Sequence, residues 1–145
     1  MATFTKCNDW ASYHSNAANC GSDQFVVALS NTAPGSEASN PTSDGNGVLA
    51  NVTQISYDNL STRNITTTSS SQTSGKYYLK LTDLVLTASG DVATFRYVYI
   101  YDDTVAGDPL VCVFDKGEAI TLHSGDTFTI DFDGTNGLFN IAPAA

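Results

Sequence analysis

From Val92 to Tyr101 the chain reads Val-Ala-Thr-Phe-Arg-Tyr-Val-Tyr-Ile-Tyr, and no other stretch constrains the fold as strongly. β-Branched and aromatic side chains suit a pleated, half-buried surface better than a helix. Alternation puts Phe95, Tyr97, Tyr99 and Tyr101 on one face of a strand and Arg96, Val98 and Ile100 on the other. One face must fill a core. The other needs cover, and a neighbouring subunit is the expected source.

Further strand-like runs lie on both sides. They are Gln24–Leu29, a short apolar run expected to be buried on both faces, then Asn51–Tyr57, the Thr/Ser-rich Ser61–Gln72 and Lys76–Leu86. After the aromatic run come Leu110–Phe114, Ala119–Leu122, Thr127–Phe132 and Leu138–Ile141. In Lys76–Leu86, Tyr77, Leu79 and Leu81 point one way and Lys76, Tyr78 and Lys80 the other. Leu84 and Leu86 resume out of step, which predicts a break near Thr82-Asp83. Lys116-Gly117 and Ser124-Gly125-Asp126 are expected turns. Strands spaced roughly every ten residues predict an all-β fold, an eight- to nine-stranded antiparallel sandwich, jelly-roll-like. Composition supports this: 18 Thr, 15 Ser and 11 Asn stand beside only two Glu, too few helix formers for a helical bundle.

The first 22 residues form an N-terminal arm or short helix, and residues 23–145 form the sandwich domain. Phe4, Cys7, Trp10, Ala11 and His14 fall at helical spacings, with Asn8 or Asp9 as a candidate N-cap and Gly21 as the expected stop. Residues 30–50, with Pro34 and Pro41 among many Ser and Asn, predict a long loop.

A net charge of −9 repels phosphate, which argues against nucleic acid and anionic membranes as partners. No apolar run is long enough to cross a bilayer as a helix. An odd count of three cysteines excludes a complete disulfide framework. Cys112 sits in an apolar strand and is expected to pack as a small hydrophobe, while Cys7 and Cys20 bracket a polar segment and are a candidate pair.

Motifs for chemistry are weak. His123 precedes a turn with Asp126 three residues on, but no nucleophile elbow accompanies it, and it is expected to be a surface turn residue. His14 lacks an acidic partner other than Asp9. Asp131 to Gly137 places oxygen ligands at alternating positions like a calcium loop, without the downstream Glu, and a hairpin turn explains the same letters. No catalytic, cofactor or metal residue is assigned. Aromatic and apolar side chains concentrate in strands and charges in turns, which points to an interaction or structural module rather than an enzyme.

Three motifs carry a resemblance. The first is Ser71-Gln72-Thr73-Ser74-Gly75-Lys76-Tyr77-Tyr78-Leu79-Lys80-Leu81. The second is Ala88-Ser89-Gly90 followed by Phe95-Arg96-Tyr97-Val98 and Tyr101-Asp102-Asp103-Thr104. The third runs from Gly117 through Ile120-Thr121-Leu122 and Gly125-Asp126-Thr127-Phe128-Thr129-Ile130-Asp131-Phe132-Asp133-Gly134 to Asn136-Gly137. Together, over about residues 20–141, they resemble a family of small structural proteins of tailed bacteriophages, with Lys116 where that family usually carries Tyr.

The resemblance implies a virion protein made in the bacterial host cytoplasm, similar to capsid decoration (cement) proteins. Its expected partners are its own copies, as a homotrimer, and the major capsid protein, with the capsid exterior as its location. Candidate interface residues are Trp10, Tyr13, Thr66, Thr67, Thr68, Tyr78, Tyr97, Tyr99 and Tyr101. The alternatives are a tail, neck or baseplate component of the same particle, and a surface carbohydrate-binding module stacking sugars on Trp10, Tyr13 or Tyr78.

Overall fold

A computed structural model describes residues 2–35 and 47–144. The chain is an antiparallel β-sandwich with one short helix. In order it runs β1 (Thr3–Lys6), α1 (Trp10–Asn16), β2 (Phe25–Ser30), β3 (Asn64–Ile65), β4 (Thr67–Thr73) and β5 (Lys76–Leu81). It continues with β6 (Leu84–Thr87), β7 (Phe95–Asp102), β8 (Leu110–Ile120), β9 (Thr127–Ile130) and β10 (Phe139–Ile141). One sheet has five strands in the order β1-β8-β7-β2-β3. Facing it are a three-stranded sheet, β10-β5-β4, and a two-stranded one, β6-β9.

The main core lies between these layers. Phe25, Val27 and Leu29 of β2 and Phe95, Val98 and Ile100 of β7 meet Leu79, Leu81, Leu86 and Ile130 from the facing strands. β2 is buried along its whole length, as its unbroken apolar run predicts. Residues 3–20 join the same body: β1 pairs with β8, and Trp10 and Cys20 sit in the main core.

The expected helix is present but short. Asp9 is its N-cap residue without a side-chain cap; its carboxylate instead accepts a hydrogen bond from the Gly47 N–H at 3.2 Å. The helix ends at Asn16, before the predicted Gly21 stop, because Ser12, Ser15 and Asn16 are poor helix formers and Asn16 turns back to the Ser12 carbonyl. Phe4 lies in β1 rather than on the helical face.

The break at Thr82-Asp83 separates β5 from β6, and Asp83 Oδ1 there accepts a hydrogen bond from the Phe132 N–H at 2.8 Å. Three expectations are corrected. Lys116-Gly117 does not end a strand but lies in a bulge within continuous β8, where Gly117 has φ +91° and its N–H bonds Asp115 Oδ1. The register of β7 against β8 slips between Phe95 and Tyr97, so Phe95 faces the main core while Tyr97, Tyr99 and Tyr101 face away from it. The predicted strand Asn51–Tyr57 follows a short 3-10 turn (Leu49–Asn51) and makes one bridge, Gln54 to Ser30. Its Val52 packs on the tyrosine side of the sheet, while Ile55 and Tyr57 pack against the main core. Ser30 Oγ donates to the Thr53 carbonyl and the Ile55 N–H to the Leu29 carbonyl, which pins it there.

Candidate functional site

The aromatic stripe on β7 is buried within the chain itself. Tyr97, Tyr99 and Tyr101 are 7%, 1% and 5% exposed. Cys7, Leu49, Val52 and Leu110 of the same chain pack over them with Val26 and Ala28. These residues of the same chain, Leu49 and Val52 among them, cover the tyrosines. Trp10 is likewise buried within the chain. Its ring is buried edge-on against Phe25 and Phe139, and its Nε1–H has no partner among the described residues. Tyr13 is half-buried against the main core.

The other four candidates lie elsewhere, and of them Tyr78 alone belongs to the outward face formed by β4 and β5, because Thr67 stands opposite the buried Leu81. Thr66 and Thr68 are exposed, and Thr67 and Tyr78 are half-buried, on the outer strands β4 and β5 or beside them. Among the described residues β4 is an edge strand with no strand paired on its outer side. Its register against β5 sets Ser69 opposite Lys80, Ser71 opposite Tyr78 and Thr73 opposite Lys76. A hydroxyl row therefore runs beside a Lys-Tyr-Lys row on the face turned from the core. Lys76 Nζ and Lys80 Nζ lie 5.7 Å and 5.6 Å from the Tyr78 ring centroid, within cation–π range. The register slip between Thr67 and Ser69 leaves Thr68 outside the ladder, where its hydroxyl bonds that of Thr82 at 2.8 Å. This gathers two of the chain's six basic residues on one hydroxyl-rich face of an acidic protein. Period-two alternation already put Lys76, Tyr78 and Lys80 together; pairing with β4 was not visible in it.

The polar groups considered for chemistry have structural roles. His123 is exposed at a turn, its Nδ1 2.8 Å from Asp91 Oδ1, and the hydrogen bond to that carboxylate raises its pKa above the usual histidine value. Its own N–H donates to Asp126 Oδ2. Asp133 closes the 131–137 turn, accepting the N–H groups of Thr135 and Asn136 at 2.7 and 2.8 Å. Those bonds and one from the Asn136 side-chain amide hold its pKa below the usual carboxylate range. Arg96 and Asp115 form a two-point ion pair over the β8 bulge, which lowers the Asp115 pKa. Among the described residues no group of three His, Cys, Asp or Glu side chains is placed to hold a metal ion, and no helix is long and apolar enough to cross a membrane. Compared with family models, curated proteins and solved structures, the chain matches none.

Proposed function

We propose that the protein is a structural component of a tailed-phage particle, a decoration protein that docks on the outer capsid surface as a homotrimer and reinforces the shell. The observation that carries this is the outer face of β4 and β5. An open edge strand of Thr and Ser lies beside Lys76, Tyr78 and Lys80, so backbone, hydroxyl and cationic groups are offered side by side to a protein surface. Each such contact is weak, and three copies of the face on one trimer make the contacts add through effective concentration. The motif resemblance over residues 20–141 supports the same assignment.

The experiment is to mix purified protein with empty capsids, sediment them and count bound copies, while light scattering gives the mass of the free protein. Saturable binding at hundreds of copies, by a trimer, is expected, and replacing Lys76 and Lys80 together by Glu should weaken it about tenfold or more, a loss near 1.4 kcal/mol. A strict monomer that ignores capsids overturns the assignment.

A further inference from the structure

Away from the β4–β5 face, the sandwich is open along one side. Two cavities, of about 250 and 310 Å³, lie between the edge of the five-stranded sheet and the loop that follows β9. Both are lined by Phe114 and Asp131, so they adjoin along one groove-like side of the sandwich. Phe128 and Ile130 floor one half, and Phe4 and Leu138 the other. Phe4 is 48% exposed, an unusual position for a large apolar ring. The groove is bordered by β1 and β9, each the terminal strand of its sheet, so among the described residues neither has a strand paired on its outer edge. An apolar trough beside an open strand edge is the arrangement that accepts an added strand.

Charge selects the occupant. Lys116 on the rim already pairs with Glu118 at 3.5 Å. Asp131 remains as a rim carboxylate, and Asp133 adds its charge beside it while its oxygens accept from Thr135 and Asn136. A second copy, itself at −9, is repelled there. We propose that this groove receives an extended segment of another protein, one that alternates apolar with basic side chains, added along the open edge of β9. The apolar residues enter the groove and the basic ones meet Asp131 and Asp133. The four residues of β9 span about 13 Å, so a segment of some four to six residues fills it. The assignment rests on the assembly role proposed above for its biological partner, but not for its chemistry.

The test titrates isotope-labelled full-length protein with a blocked peptide of alternating Val and Lys/Arg, followed by NMR, with the same peptide carrying Glu in place of the basic residues as control. Shifts at the amides of Thr127–Ile130 and at the Phe114 and Phe128 rings are expected, with weaker binding at high salt. The exposed Asp131→Lys variant, whose fold is checked by its own spectrum, should bind about three- to tenfold more weakly. Equal binding of the acidic peptide, shifts confined to other faces, or concentration-dependent self-association through these residues would each overturn it. Peptide binding at β9 by a protein that ignores capsids upholds the groove and removes the assembly role; capsid binding with no peptide shift at β9 does the reverse.

Discussion

Asp102, at the end of β7, is fully buried and its carboxyl group faces that of Asp23. Asp102 Oδ1 accepts the N–H groups of Thr104 and Val105 at 3.0 and 3.3 Å, which holds the turn after β7. Its Oδ2 has no donor to accept from among the described residues. Asp23 Oδ2 accepts the Asn19 N–H at 2.7 Å. A buried carboxylate beside a second one carries its charge at a cost, and a proton on Asp102 Oδ2 turns that oxygen into a donor toward Asp23. Burial first, and the Asp23 contact second, push the Asp102 pKa up to about 6.

Stability should therefore fall as pH rises across this window. Between about pH 4 and 6 the folded chain holds a proton at Asp102 that the unfolded chain has lost, so raising pH favours unfolding until Asp102 is charged in both states. His123, raised by Asp91, acts in the same direction at somewhat higher pH. Asp115 and Asp133, both lowered, contribute stability that is lost only below the ordinary carboxylate range. Asp102→Asn isolates the pair: it keeps the Oδ1 acceptor and donates permanently to Asp23. Its thermal midpoint from pH 4 to 8 should be flatter than the parent's, and equal or higher at pH 7.5. A lower midpoint at pH 7.5 would contradict the shared proton.

Tyr99 tests whether the aromatic stripe is core or interface. As a core side chain at 1% exposure, it should cost roughly 3–5 kcal/mol on replacement by Ala, as large-to-small core changes do. The oligomeric mass of the folded fraction should not change. Urea unfolding and light scattering on the same sample decide it: a stable variant that loses only its assembly would restore the interface role.

The layers of the sandwich were legible because period-two alternation is local: β2, β5 and the break before β6 follow directly from their letters. What escaped was set by pairing. The face of Tyr97 relative to Phe95 depends on a bulge in β8, some twenty residues away in sequence, and nothing within Val92–Tyr101 records it. Likewise Val52 looks like a strand residue because its backbone is extended (ψ 127°) and its side chain is buried; that it covers tyrosines instead of pairing is a tertiary fact. At the candidate site, Lys76, Tyr78 and Lys80 were placed together by alternation, but the hydroxyl row beside them needed the β4–β5 register.

The cysteines give a third prediction. Cys20 lies in the main core and Cys7 in the cluster on the opposite face of the five-stranded sheet, so the pair considered from sequence is not made. Desolvation pushes the Cys20 thiol up to about 11 and Cys112 well above its ordinary value, which leaves almost no thiolate at neutral pH. Folded protein should react with iodoacetamide at least tenfold more slowly than urea-unfolded protein at all three positions, as read by intact mass. A Cys7–Cys20 disulfide in the folded protein under oxidising conditions, located by peptide mapping, would refute the separation of these two cysteines.

Gly137 and Gly125 make a matched comparison. Both have positive φ, +79° and +90°, where a side chain is strained. At Gly125 a Cβ meets nothing within 4 Å, so Ala there carries only the backbone cost, on the order of 1 kcal/mol. At Gly137 a Cβ would lie 2.3 Å from the Leu79 carbonyl oxygen, a backbone atom fixed in β5. That same oxygen accepts the Leu138 N–H at 2.8 Å, and Phe139 pairs with Leu79 in the β10–β5 ladder. The chain cannot retreat from the clash without breaking this joint. Gly137→Ala should therefore destabilise by about 2–4 kcal/mol, more than Gly125→Ala, with early hydrogen exchange at residues 138–141. Equal thermal midpoints for the two variants would mean that β10 is not held against β5 as described.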